Sequence, residues 1–181
     1  MSVNRTKRTR PKLATPLVDL AALYRDHARD VHRFALFLSG QPALADDLVS
    51  EAFLRVWTAR SRVDLTTVRG YLFAIVRNLF LQHVHREQRR APLDDRMATD
   101  QPGPEDRASD QSTVRAVLGA LATLPEIDRA ALLMRADDGL PYEEIARALG
   151  ISTTSAKVKV HRARLKLSET LYPSGRKEPR S

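Results

Sequence analysis

Between Tyr142 and Leu167 the chain reads YEEIARALGISTTSAKVKVHRARLKL, and few folds accommodate that run. Its spacing predicts two helices joined by a tight turn. Pro141 can open the first helix, because its fixed φ and missing N–H cost nothing at a helix start. Ile145, Ala146 and Leu149 give that helix one apolar edge. Gly150 stands where a helix ends on a left-handed residue, and Ser152 can cap the next N-terminus. At about 100° per residue, Ala156, Val160, Ala163 and Leu167 share one narrow stripe that can bury itself against the first helix. Thr154, Ser155, Val158, His161, Arg162 and Leu165 point the other way, flanked by Lys157, Lys159, Arg164 and Lys166. From Ser152 to Leu167 there are five Lys or Arg and no acid. This is a helix-turn-helix layout, whose second helix enters the major groove of DNA. Residues able to reach base edges lie between charges able to hold phosphate. A solvated basic helix in a bundle is the plainer reading. Here, however, the turn glycine, the cap, the apolar stripe and the missing acids coincide.

The rest of the chain agrees with a nucleic-acid partner. Its 181 residues carry a formal net charge of +8, which suits an anionic partner, nucleic acid before a membrane surface. There is no cysteine, hence no disulfide framework and no thiolate metal site. No apolar run approaches the length of a membrane span. The basic start MSVNRTKRTRPK lacks the apolar segment of a signal peptide, so residues 1–16 read as a disordered arm and the expected place is cytoplasmic.

Composition divides what remains, and the expected fold class is all-α: two small helical domains joined by a flexible linker. From 17 to 90 the pattern is helical. Leu17, Leu20, Ala21, Tyr24, Ala28, Val31, Ala35 and Leu38 recur at three- and four-residue steps before Gly40 and Pro42 punctuate. Leu44, Leu48, Ala52 and Val56, with Phe53 and Trp57 beside them, mark a second helix. After a loop over 61–67, a third runs from Val68 to Arg90 on Tyr71, Leu72, Ile75, Val76, Leu79 and Phe80. Residues 91–112 hold three prolines and six acids against two arginines, the signature of mobile, extended chain. Residues 113–171 form a second helical domain, in which Pro125 starts the helix of Ile127, Ala130, Ala131 and Met134. Residues 172–181 read as a loose tail.

The Val68–Arg90 helix carries a second basic surface. Arg77, Arg86, Arg89 and Arg90 face a single acid, Glu87, and Asn78, His85, Arg86 and Arg89 recur away from the apolar face. Positive charge at a helix C-terminus also complements the dipole, so stability alone can explain part of it. Tyr71, Phe73 and Phe80 offer faces on which unpaired bases can stack, although aromatics at helical spacing usually serve a core. Two basic surfaces on an acidic tether describe a protein that holds DNA at two places.

These residues resemble a known family. DDLVSEAFLRVW (46–57), RGYLFAIVRNLFLQHVHREQRR (69–90), TLPEIDRAALLMR (123–135) and the helix-turn-helix ending VHRARLKL resemble, in order and spacing, the extracytoplasmic-function sigma factors of bacteria. The resemblance implies two helical domains, sigma regions 2 and 4, that bind core RNA polymerase and direct it to promoters. Region 2 would melt the downstream (minus-ten) element, and region 4 would read the upstream (minus-thirty-five) element as duplex. Asp47, Leu48, Val49, Glu51 and Phe53 match the motif that docks on the clamp helices of the largest polymerase subunit; Ser50 stands where the family usually has glutamine. Asn78 matches the asparagine that holds a flipped base, with His85, Arg86, Arg89 and Arg90 further along the same helix. Lys157, Val158, His161 and Arg162 match positions facing the upstream element, with Ser155, Lys159 and Lys166 as neighbouring candidates. The resemblance further implies an anti-sigma factor as partner, and no cofactor.

Two other classes explain less. An autonomous helix-turn-helix regulator accounts for Tyr142–Leu167 but not for Asp46–Glu51 or the second basic helix. A nucleic-acid enzyme needs converging carboxylates or an organised nucleophile. The pairs Asp46–Asp47, Asp94–Asp95 and Asp137–Asp138 are sequence neighbours, and neighbours on a helix diverge by about 100°. His83 and His85 diverge likewise, so no metal site is expected.

Overall fold

A computed structural model describes residues 20–58, 68–90, 108–136 and 139–172, with side chains from 112 onward in the third stretch. The expected arm, the linker up to 107, the tail beyond 172 and the pairs Asp94–Asp95 and Asp137–Asp138 lie outside the described residues. Seven helices follow in order: α1 Leu20–Ser39, α2 Pro42–Thr58, α3 Val68–Arg90, α4 Ala108–Ala122, α5 Glu126–Ala136, α6 Tyr142–Leu149 and α7 Thr153–Leu171. There is no strand among the described residues.

The first three helices pack pairwise into a bundle. α1 ends on Gly40, whose φ of 73° lets its N–H return to the Leu36 carbonyl at 2.7 Å. Val31, Phe34, Ala35 and Leu38 of α1 meet Ala45, Leu48, Ala52, Phe53 and Val56 of α2 and Leu72, Phe73 and Val76 of α3 in one buried cluster. Phe34 stacks on Phe73 at 4.5 Å between ring centres. Burying each of the larger of these side chains contributes about 1.5–3 kcal/mol, which is why helices with strongly polar outer faces hold together.

α4 begins at Ala108, inside the stretch that composition reads as linker. The polar sequence there argues against a buried face, not against a helical backbone. Leu121 and Leu124 pack with Leu132 of α5 and Ala163 of α7 in a second, smaller cluster. Pro125 precedes α5, as its position predicts, and the Arg129 N–H returns to its carbonyl at 2.9 Å.

The two groups of helices are packed against each other. The main core runs on from α1–α3 into Ala130, Ala131 and Met134 of α5, Ile145, Ala146 and Leu149 of α6, and Ala156 and Val160 of α7. At the seam, Arg77 of α3 donates to Glu126 of α5 from Nε at 2.6 Å and from Nη2 at 2.8 Å. One turn along α5, the Arg129 guanidinium lies 5.8 Å from the centre of the Phe80 ring. Burial pulls the Arg129 guanidinium below its ordinary range, and the neighbouring Glu126 carboxylate opposes the shift.

Candidate nucleic-acid and partner interfaces

The helix-turn-helix forms as its sequence predicts. Pro141 occupies the cap position of α6 at φ −56° and ψ 145°. Gly150 closes α6 in the left-handed region at φ 66°, with its N–H bonded back to the last turn. Ser152 then caps α7, its side chain accepting from the Ser155 N–H at 3.1 Å. Ala156, Val160 and Ala163 are buried and Leu167 half-buried, so the apolar stripe docks where expected.

The basic residues of α7 separate into two sets. Lys157, Val158, His161, Arg162, Arg164 and Leu165 are exposed. Lys159 is half-buried and Lys166 exposed, and both are hydrogen-bonded within the protein, Lys159 to α5 and Lys166 to the turn before it. Lys159 Nζ donates to Asp128 Oδ1 at 3.1 Å, and Lys166 Nζ donates to the Thr123 carbonyl at 2.8 Å. Ser155 is half-buried, and its hydroxyl accepts from that of Ser152 at 2.9 Å. Lys157 also lies 5.7 Å from the centre of the Tyr142 ring, whose other cationic neighbour is Arg135 at 4.8 Å. The open face of α7 is therefore Val158, His161, Arg162 and Leu165, bordered by Lys157 and Arg164. Arg164 shares the Lys157 flank at seven-residue spacing, a signal legible in the sequence.

α3 presents a second open face. Asn78, Gln82, His85, Arg86 and Arg89 are exposed along it, as is Tyr71 two turns before Asn78. At 100° per residue, Tyr71, Asn78, Gln82, His85 and Arg89 fall within about 40° of one line. The line is about 27 Å long at 1.5 Å per residue. Gln82 belongs to it by spacing, although the charge pattern alone does not single it out. Arg90 is exposed and lies 3.4 Å from Glu87. Of the three stacking candidates only Tyr71 is accessible. Phe73 and Phe80 are buried, one against Phe34 and the other under Arg129.

On α2 the expected docking motif divides by depth. Leu48, Val49 and Phe53 are buried in the core and hold the helix in place. Asp47 is exposed and Glu51 half-exposed, bonded to Arg55 Nε at 2.9 Å. Asp46 pairs with His32 at 3.0 Å. The Ser50 hydroxyl donates to the Asp46 carbonyl at 2.9 Å, so it turns inward to its own helix. Leu54, exposed seven residues after Asp47, continues the outward stripe that the buried part of the motif does not reach. Among the described residues no His, Cys, Asp or Glu group is placed to hold a metal ion, and no helix is long and apolar enough to cross a membrane.

Comparison with known proteins assigns these surfaces to a family. The pattern of sigma-70 region 2 matches residues 23–90, and that of sigma-70 region 4 matches residues 115–167. The ECF RNA polymerase sigma factor SigE of Mycolicibacterium smegmatis is 36% identical over 154 residues, covering 82% of this chain. The chain spans only 60% of that longer protein. SigL of Mycobacterium tuberculosis is 32% identical over 163 residues, covering 86% of this chain and 90% of its own. SigM of Bacillus subtilis is 29% identical and is covered over 94% of its length. In three dimensions the fold resembles the sigma factor RpoE of Bartonella quintana, solved with the anti-sigma factor NepR. That match has a TM-score of 0.75 at 23% identity and covers 87% of this chain and 99% of the other. CnrH, solved with the cytosolic domain of CnrY, matches with a TM-score of 0.63 at 23% identity, over 86% of this chain and 89% of the other. The chain, with its region 2 and region 4 helices in order, belongs to the sigma-70 family as an ECF RNA polymerase sigma factor.

Proposed function

We propose that this chain is a promoter-specificity subunit that binds core RNA polymerase, carries it to promoters and helps open them. The observation that carries the reading is the coexistence of two open basic faces, on α3 and α7, with an outward acidic stripe on α2. In this reading α7 reads the upstream element as duplex through Val158, His161 and Arg162, while Lys157 and Arg164 hold phosphate. The α3 line handles the downstream element. Asn78 holds an extruded base, and extrusion costs a few kcal/mol that binding to the helix offsets. His85, Arg86, Arg89 and Arg90 follow the backbone of the opened strand. Asp47 and Glu51, with Leu54 beside them, dock on the clamp helices of the largest subunit. The work is positional, with no bond made or broken by this chain, and its place is the cytoplasm, where polymerase and promoter are. An anti-sigma factor is the expected inhibitor, since the sigma factor RpoE, which shares this fold, was solved with one.

An autonomous regulator would bind its site alone. The deciding experiment is footprinting of promoter duplex by the chain with and without core polymerase. Protection that depends on polymerase supports the proposal, whereas strong specific protection by the free protein overturns it.

A further inference from the structure

One buried acid faces the recognition helix from behind. Asp128 of α5 is 4% exposed, the one buried charged residue among those described. Its Oδ1 accepts from Lys159 Nζ at 3.1 Å, and its Oδ2 lies 4.0 Å from Arg162 Nη1. The two cations stand three residues apart, Lys159 on the flank and Arg162 at the edge of the open face beside it, so one carboxylate lies near both. Their exposures differ: 21% for the Lys159 side chain and 65% for that of Arg162. A buried carboxylate deprived of its counter-charge is costly, which commits Lys159 inward and withholds it from DNA phosphate. Arg162 keeps its guanidinium in solvent, with Nη1 4.0 Å from Asp128 Oδ2. A carboxylate beside a guanidinium biases, through its charge, the plane in which the other N–H groups are presented. Two-pronged contact with a guanine edge needs that plane; contact with a phosphate does not.

We propose that Asp128 is a positioning residue for sequence specificity, which keeps Lys159 off the phosphates and orients Arg162 toward a base edge. The proposal rests on the reading of α7 as the helix that reads duplex DNA. It has a consequence opposite to that of an ordinary structural acid. Neutralising Asp128 should strengthen binding to arbitrary duplex while weakening discrimination.

The test uses the full chain assembled with core polymerase. Binding is measured over a salt series to the duplex it enriches from a random pool and to a scrambled duplex. Asp128→Asn should lower the preference for the enriched duplex about tenfold, a fraction of what a two-pronged base contact is worth. It should also steepen the salt dependence on scrambled duplex by about one, as Lys159 becomes a phosphate contact. Asp128→Asn combined with Lys159→Met should return the slope to its original value, and Asp128→Glu should restore the preference. Lys159→Met alone, which keeps the aliphatic stem, should leave the slope unchanged, and this holds as a test even if Asp128→Asn does not fold. Equal losses on both duplexes with an unchanged slope would make Asp128 a structural residue only and overturn the proposal. So would a slope reduced by about one in Lys159→Met. If the unaltered holoenzyme enriches no sequence at all, the reading of α7 falls, and the proposal with it.

Discussion

Arg77 and Glu126 are joined by two parallel hydrogen bonds, 2.6 and 2.8 Å long, across the seam between α3 and α5. Both side chains are largely shielded, at 13% and 22% exposure, so water screens the pair little. The pair fastens region 4 onto region 2 immediately beside Asn78. Two promoter elements about 25 base pairs apart, as their names state, are separated by about 85 Å at 3.4 Å per pair. A compact chain of this length has a radius of gyration of about 16 Å and a diameter near 40 Å. If α3 and α7 hold the two elements as proposed, the packed form cannot span both at once, and the seam has to open when it does. Glu126→Ala should therefore loosen the seam. Small-angle scattering of the free protein should give a larger radius of gyration than that of the parent, and an unchanged radius would show that the apolar contacts alone keep it shut.

The docking reading makes a demand on α2. Asp47→Ala combined with Glu51→Ala removes charge from exposed positions and leaves the buried Leu48, Val49 and Phe53 intact. Polymerase binding measured by co-elution should fall while helix content by circular dichroism stays the same. Normal assembly would remove these acids from the interface.

On α7, Arg162 and Arg164 should behave differently. Arg162→Ala should cost about 1–3 kcal/mol on the enriched upstream sequence and little on others. Arg164→Ala should weaken all sequences alike and reduce the salt slope by about one. Titrations of matched and scrambled duplexes with the holoenzyme separate the two outcomes, and identical behaviour would refute the split between the two residues.

On α3, Asn78→Ala should impair promoter opening more than closed-complex binding. Permanganate reactivity of unpaired thymines reports the first and filter binding at low temperature the second. The reverse order would exclude a role in holding an extruded base.

Stability should follow the caps and the seam. Ser152→Ala removes the acceptor for the Ser155 N–H and should cost about 1 kcal/mol. Met134→Ala opens a hole in the core where α5 joins the first three helices and should cost about 2–5 kcal/mol. Thermal unfolding ranks the two, and a larger loss at Ser152 than at Met134 would contradict the continuous core.

What was legible in the sequence was local. Gly150, Ser152 and the Ala156–Val160–Ala163 stripe each act within a turn or two of their own position, so spacing suffices to read them. The extent of α3, Val68 to Arg90, was legible for the same reason. The links that organise the interfaces were not. Arg77 and Glu126 are 49 residues apart and Lys159 and Asp128 are 31 apart, so neither pairing leaves a periodic trace. A helical wheel shows which flank Lys159 and Lys166 are on, not that Asp128 and the Thr123 carbonyl stand against that flank. For the α2 motif, the resemblance names Leu48, Val49 and Phe53 as docking residues, and the structure buries all three in the core, which spacing along one helix does not show. Packing also removed Phe73 and Phe80 from the stacking candidates and left Tyr71.

Whether this chain gives core polymerase its promoters is decided by run-off transcription on a genomic fragment library, with core polymerase and this chain purified separately. Transcripts should start a fixed distance downstream of a shared two-part sequence, appear only when both components are present, and weaken with Asn78→Ala or Arg162→Ala. Transcription indifferent to the chain, together with specific protection of duplex by the chain alone, would contradict that role.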